Sequence, residues 1–307
     1  MPPRSAGTAQ VVEIEGRRLR LSNLDKVLYP ETGTTKAEVI DYYARIAPVM
    51  VPHLAARGVT LRRFPDGVTG GSFFEKRCPG HRPEWVGTQL GPGDRSGDIG
   101  YCRLDSTPAL VWAANMAALE IHAPMAQGDV ETPTMCVFDL DPGEGTGMRE
   151  CADVALDVRH VLDGFGLEGF PKTSGSKGMQ VYVPLNTPHT HAHTSSFAQA
   201  VAALLERAHP GGVVSNMKKS LRRGKVLVDW SQNSRHKTTI AVYSLRARPR
   251  PTVSTPVAWD EVEAAAGGAP LSFEMVDVLA RVDDAGDLFA GTLTIAQSLP
   301  DAPARNG

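Results

Sequence analysis

Two short segments of this 307-residue chain place carboxylates where they could do chemistry. In VFDLDPGEG (137–145) side chains on a strand alternate, so Asp139 and Asp141 share one face while Cys136, Phe138 and Leu140 turn to the other. Carboxylates held about 7 Å apart along a strand repel each other in a low-dielectric cleft. Either a raised pKa or a bound divalent cation resolves that repulsion. A strand end opening into a Gly-rich turn favours metal; two solvated acids at a surface strand end are the plain alternative. KVLVDWSQN (225–233) repeats the pattern, with Val226, Val228 and Trp230 on one face and Leu227 and Asp229 on the other. From Ser215 to Arg250 Asp229 is the single acid among ten Lys and Arg residues. Alone it reads as an ion-pair partner; beside an Asp-x-Asp strand it offers a third ligand. Carboxylates bridging two metal ions serve in-line nucleotidyl transfer. Between these strands, TSGSKG (173–178) supplies glycine amides, hydroxyls and Lys177, a set suited to phosphate. It lacks the spacing of a Walker A loop and also reads as a plain hairpin.

Strands and helices must alternate to position these residues, and the composition permits it. With 42% hydrophobic and 21% charged residues the chain is neither disordered nor membrane-spanning, and its length allows one large unit or two modest ones. The start, MPPRSAGTAQ, has no apolar stretch of a secretory signal, so a cytoplasmic location is expected. Cys78, Cys102, Cys136 and Cys151 show no paired spacing and are expected as reduced thiols. The net charge of −2 gives no sign of a polyanionic partner, whereas the 215–250 stretch carries an excess of nine positive charges. Residues 1–9 and 298–307 read as disordered tails around a single domain, 10–297.

Within it, VVEIEGRRLRLS predicts a hairpin about Gly16. Thr35 and Glu38 form a capping box for a helix with Val39, Tyr42, Tyr43, Ile46 and Val49 on its apolar face, ended by Gly58 and kinked or split by Pro48 and Pro52. Strands are expected at 59–64, 134–141, 225–231 and 238–244, with a strand, turn and strand over 172–185. Helices are expected at 108–119, 148–166, 195–208 and near the C-terminus. The class is α/β or α+β.

FDLDPGEG, TSGSKG, SLRRGKVLVDWSQN and KTTIAVYSLR, in that order, resemble the polymerase domain of bacterial DNA ligase D, a member of the archaeo-eukaryotic primase superfamily used in non-homologous end joining. LSNLDKVLYPETGTTK, FFEKRCPGHRPEW and AALEIHAP carry the resemblance from about Val11 to Leu299. It implies the primase fold, two sheets with flanking helices around a central cleft, and a nucleotidyltransferase that fills gaps or extends ends, preferring ribonucleotides. Asp139, Asp141 and Asp229 would hold a divalent metal, Mn2+ or Mg2+. Ser174, Lys177 and Arg246 would hold the triphosphate, with His122 beside it. Asn23, Lys26 and Lys36, with Arg62 nearby, would meet the 5′-phosphate of a gap. Phe73 and Phe74 would abut the template strand; of two adjacent phenylalanines, one is expected in the core. Lys218, Lys219, Arg222, Arg223 and Lys225 match a mobile basic loop, and Gln232 completes the DNA contacts. The implied partners are 5′-phosphorylated DNA, NTP or dNTP, a separate ligase and a Ku-type end-binding protein; the implied state is a monomer.

The chain departs from that pattern at Gln180, where the family usually has histidine; glutamine can donate to a phosphate but carries no proton charge. It also lacks a Lys-x-Asp-Gly adenylation motif, which implies a free-standing polymerase. One rival is a haloacid-dehalogenase-type phosphohydrolase with Asp139 as nucleophile, Asp141 as acid, Lys177 as clamp and Asp283 with Asp284 on metal. Another is a non-catalytic module that binds DNA ends. Cys78, His81 and Cys102 could begin a zinc site without a fourth ligand. His189, His191 and His193 read as a polar loop before a helix.

Overall fold

The computed structural model describes residues 9–93 and 97–300; the expected tails at 1–8 and 301–307 lie outside the described residues. The chain opens with a hairpin, β1 (Gln10–Ile14) and β2 (Arg17–Leu21), turning through Glu15 and Gly16, both at positive φ. A small pair, β3 (Val27–Tyr29) and β4 (Thr34–Thr35), leads into α1 (Lys36–Leu54). The predicted capping box forms: Thr35 Oγ1 accepts from the Glu38 amide and the Glu38 carboxylate accepts from the Thr35 amide. The helix is not split at Pro48 or Pro52, and it ends at Leu54, so Gly58 instead begins β5 (Gly58–Arg63). Tyr42 and Tyr43 anchor it, their hydroxyls donating to Tyr243 O (2.8 Å) and Leu119 O (2.6 Å).

The chain continues through β6 (Phe73–Glu75), β7 (Thr88–Pro92), β8 (Asp98–Arg103), α2 (Thr107–Asn115) and β9 (Ala118–Ala123). The helix expected over 108–119 thus stops early, because residues from Ala118 onward pair with β5. β10 (Met135–Pro142), α3 (Met148–Gly164), β11 (Phe170–Thr173), β12 (Met179–Pro184), α4 (His191–Ala208), β13 (Val213–Val214) and β14 (Val226–Asp229) follow. β14 ends at Asp229 rather than 231 because that carboxylate caps a short 3-10 turn, Trp230–Asn233. The strand expected at 238–244 shortens to β15 (Thr239–Ile240), and α5 (Trp259–Ala266), α6 (Met275–Ala285) and α7 (Gly291–Thr294) complete the order. Ser298 to Pro300 were expected in the tail, but Leu299 is buried and its amide donates to His189 Nε2.

The architecture is α+β, with two largely antiparallel sheets. One runs β11-β12-β10-β14-β13; the other runs β15-β9-β5-β8-β7, with β6 also on β5. Each sheet has its own packed cluster: α1 and α2 cover the β5–β9 side, while α3, α4 and α5 cover the five-stranded sheet. β10 belongs to both. Cys136, Phe138 and Leu140 enter the second cluster and Met135 and Val137 the first, so Asp139 and Asp141 continue the face turned toward the other sheet.

Cys78 and Cys102 are joined in a disulfide, which corrects the expectation of reduced thiols and removes both from any zinc site. Pairing of Cys78 N–H with Gly100 O brings the two together across 24 residues of chain, a juxtaposition that spacing alone does not reveal. Cys136 and Cys151 are free and buried.

Asn233 is fully buried and ties the turn after β14 to β10, accepting from Val137 N–H (2.7 Å) and donating to Val137 O (2.8 Å) and Trp230 O (2.9 Å). Asn233→Ala strands buried backbone groups and should cost about 2–4 kcal/mol in a denaturant titration. A change below about 0.5 kcal/mol would contradict this placement.

Candidate metal and nucleotide site

In the pairing of β10 with β14, Asp139 lies opposite Asp229 and Asp141 opposite Leu227. One oxygen from each of Asp139, Asp141 and Asp229 lies within 4.8 Å of the others, and among the described residues no other such group forms. Each acid is held by its surroundings. Asp229 Oδ1 accepts from the Ser231 amide (2.9 Å) and hydroxyl (2.6 Å), Asp229 Oδ2 from Gln232 Nε2 (2.8 Å), and Asp139 Oδ1 from Gln180 Nε2 (2.9 Å). Burial, then the charge of Asp141, pushes the Asp139 carboxyl up to about 7 despite the bond from Gln180. Burial and Asp229 likewise raise Asp141, against the pull of Arg222 and Arg246. Hard oxygen donors with elevated proton affinity and mutual repulsion fit a divalent cation.

Asp139 and Asp141 face a cavity of about 410 Å³ whose other walls are the 174–178 turn, His122, Arg222, Gln232, β15 and Arg246. Ser174 organises the turn: its Oγ accepts from the amides of Ser176 and Gly178, both at 3.2 Å. Gly178 lies so close to β10 that a Cβ there would sit 2.1 Å from Leu140 O, which is why position 178 tolerates no side chain. Lys177 is exposed at the turn's tip.

A residue not singled out from the sequence holds the opposite wall together. Glu120 on β9 is buried; its Oε1 accepts from Arg246 Nε and the Ala247 amide (each 3.1 Å) and its Oε2 from Arg62 Nη1 (3.2 Å), with His122 Nε2 at the same distance. Burial opposes its ionisation, but the His122 bond, the Arg246 charge and the Ala247 amide together hold the carboxyl well below its ordinary range. Arg246 also donates to Ser174 O (2.9 Å), so Glu120 joins His122, Arg62 and the phosphate-type turn in one network. The only sequence signal was its place two residues before His122 on the same strand face.

Arg62 therefore lies on the Glu120 side. The charges acting on Lys36 are those of Lys26 and its neighbour Arg63, and burial, then those charges, draw Lys36 down to about 8. Lys36 Nζ donates to Ser22 O (2.6 Å), Lys26 pairs with Asp66 (2.7 Å), and the exposed Asn23 accepts the Lys26 amide through its carbonyl. Arg63, which carries no motif of its own in the sequence, is close enough to act on Lys36, while its guanidinium is held by Glu75 (3.1 Å) and Met116 O (2.9 Å).

Phe73 and Phe74 are both exposed, at 46% and 56%, contrary to the expectation that one is core. β6 lies on the edge of β5 opposite Arg63 and Arg62, whose guanidiniums cover one face of Phe73 (5.2 Å) and Phe74 (5.3 Å) in place of a core. Phe74 also meets His122 edge-on and lines a second cavity of about 470 Å³, which shares His122, Gln232 and Thr238 with the first.

In the basic segment Lys218, Lys219 and Arg223 are exposed, while Arg222 reaches the acid cavity. Its base is tied to the turn after β10 by Gly143 N–H to Lys225 O (2.9 Å) and Gly224 N–H to Glu144 O (2.8 Å). Lys225 Nζ donates to Pro210 O (2.6 Å). Asp283 and Asp284, the metal pair of the phosphohydrolase alternative, lie exposed at the end of α6, and neither lines the acid cavity. His191 and His193 lie in the first turn of α4, capped by Thr190, where their rings meet Val130 O and Pro300 O.

In the cleft between the two sheets, the convergent acids and the 174–178 turn come from one sheet and the Glu120 network faces them from the other, an arrangement of the kind used by enzymes that transfer phosphoryl groups with divalent metals. The model of the LigD primase-polymerase domain matches residues 35–289, and the chain belongs to that family. It is 48% identical over 276 residues to the multifunctional non-homologous end joining protein LigD of Mycolicibacterium smegmatis, covering 89% of this chain and 36% of that protein. The bifunctional non-homologous end joining protein LigD of Bacillus subtilis is 32% identical over 270 residues, covering 88% of this chain and 43% of the relative. The chain thus spans less than half the length of these curated relatives. Among solved structures, the polymerase domain of Mycobacterium tuberculosis ligase D in complex with DNA superposes with a TM-score of 0.86 at 45% identity, covering 91% of this chain and 99% of that one. Among the described residues no helix is long and apolar enough to cross a membrane.

Because the Asp139 pKa is raised, a proton competes with metal as pH falls. Affinity for Mn2+ should therefore be about tenfold or more weaker at about pH 6 than at about pH 8. Calorimetric titration at the two values checks this; equal affinities would count against the triad.

Proposed function

We propose that the chain is a template-dependent polymerase of primase type that fills gaps or extends ends at DNA breaks. The observation that carries this reading is the convergence of Asp139, Asp141 and Asp229 within 4.8 Å, with Asp139 and Asp141 opening on a cavity that Ser174, Lys177 and Arg246 also line. In the reaction a primer 3′-oxygen bonds to the α-phosphorus of a nucleoside triphosphate, the bond to the β-phosphate oxygen breaks, and pyrophosphate leaves. Divalent cations, when bound at the triad, would activate the attacking hydroxyl and steady charge on the leaving phosphate.

The chain's own groups do the rest. Lys177, the amides of the 174–178 turn and Arg246 bind the triphosphate and offset its charge. Glu120 keeps Arg246 and His122 aimed into the cavity. Gln232 and Ser231 fix the orientation of Asp229. On the outer side, Phe73 and Phe74 offer faces on which template bases stack without sequence readout. Lys26, Lys36 and Arg63, beside Asn23, suit a 5′-phosphate. Arg62, held by Glu120 and laid over Phe74, joins the Glu120 network to the face offered to DNA. Lys218, Lys219, Arg222 and Arg223 line the approach of the primer and give salt-dependent affinity.

The preferred substrates are ribonucleotides and 5′-phosphorylated DNA, the favoured ion is Mn2+ over Mg2+, and the chain works as a cytoplasmic monomer with a ligase activity and a Ku-type end-binding protein. The unit is 10–297. The closeness of the family's sequence and of the DNA-bound relative's fold supports these assignments.

Extension of a 5′-phosphorylated gapped duplex with ribo- and deoxyribonucleotides tests the reading. The unsubstituted chain should extend, and Asp229→Ala should lose at least about a thousandfold in rate, as expected when a metal-holding carboxylate is removed. No extension in either metal with either sugar would overturn it. DNA binding that persists without extension would point to an end-binding module.

A further inference from the structure

Behind the acid triad lies a buried ammonium that the polymerase reaction does not use. Lys172 on β11 is completely enclosed, and its Nζ donates to Gln180 Oε1 (2.6 Å), Ser254 Oγ (2.6 Å) and Ile240 O (3.1 Å). Three donors thus meet three acceptors, and the lysine's position is fixed. A buried cation ordinarily stands against a carboxylate; here an amide intervenes. Burial draws the Lys172 ammonium down to about 7, while the charge of Asp139 pulls the other way.

The sheet register places these groups in one row. Lys172 pairs with Gln180 across β11 and β12, Gln180 with Asp139 across β12 and β10, and Asp139 with Asp229 across β10 and β14. Directly opposed residues project to the same face, so cation, amide and two acids follow one another across four strands. The ammonium can only donate, which obliges the Gln180 amide to turn its oxygen to Lys172 and its N–H to Asp139, as the 2.9 Å bond to Oδ1 shows. The amide that the sequence offered as a donor to phosphate instead has both ends engaged within the protein.

We propose that Lys172 is a positioning residue that acts through Gln180 on Asp139: the polarised amide fixes the orientation of the Asp139 carboxylate, so that divalent-cation affinity at the triad depends on a lysine that never touches it. This rests on the triad being a metal centre. The competing account is that Lys172 only joins β11 to Ile240 and Ser254.

Mn2+ binding to the full chain, followed by the paramagnetic resonance of the free ion, separates the two. Partners that orient metal-holding carboxylates contribute about 10- to 100-fold in affinity, so Lys172→Met and Gln180→Met should each weaken Mn2+ binding by about tenfold or more. The double variant should bind no more weakly than Gln180→Met, because both act along one path. Primer extension by the single variants should recover as Mn2+ is raised, and their thermal melts should stay cooperative. Unchanged affinity, within about twofold, in a folded Lys172→Met, or losses that multiply in the double variant, would overturn the inference. If Lys172→Met does not fold, unchanged binding by Gln180→Met overturns it equally. Weakened binding in both single variants supports the inference even where the unsubstituted chain extends no primer, an outcome that counts only against the polymerase reading.

Discussion

Three like charges brought within coordinating distance of one another are the constraint on which this structure turns. Asp139, Asp141 and Asp229 are drawn together by strand pairing, and burial, then their mutual repulsion, raises the pKa of the first two. Such a cluster persists only where backbone and neighbours over-determine it. Asp229 is held by the turn it caps and Asp139 by Gln180, while Arg222 and Arg246 supply positive potential from the cavity walls. The fold around the acids is therefore also an arrangement for tolerating them.

The wall facing the acids obeys the same electrostatics with the sign reversed. Arg62 and Arg246 would repel each other around an empty centre; Glu120 occupies that centre, remains ionised although buried, and also holds His122, whose burial favours the neutral ring. A phosphate entering the cleft meets a cationic surface already organised, which lowers the reorganisation that binding requires.

The acids were legible in the sequence because a two-residue period on a strand is local information. VFDLD and VLVDW each announce which face their carboxylates take, and the order of motifs supplied the rest. Glu120 and Arg63 were not legible. Their importance comes from neighbours that no window of sequence places beside them, Arg246 for Glu120 and Glu75 for Arg63. The exposure of both Phe73 and Phe74 escaped for a related reason: arginines on the adjacent strand cover them, and that pairing depends on the register of β5 with β6. The disulfide was missed because a hydrogen bond between Cys78 and Gly100 closes the distance that 24 residues open. Helix ends were misjudged where tertiary pairing overrides propensity, as at Asn115.

β10 is the strand whose two faces serve different packed clusters, with Met135 and Val137 toward one and Cys136, Phe138 and Leu140 toward the other. At Asp139 and Asp141 the apolar face gives way to charge, so the joint between the halves gives up cohesion where the chemistry is seated. An ion held there by acids that all belong to one sheet would relieve their repulsion, and occupancy and stability become one thermodynamic quantity, linked by mass action.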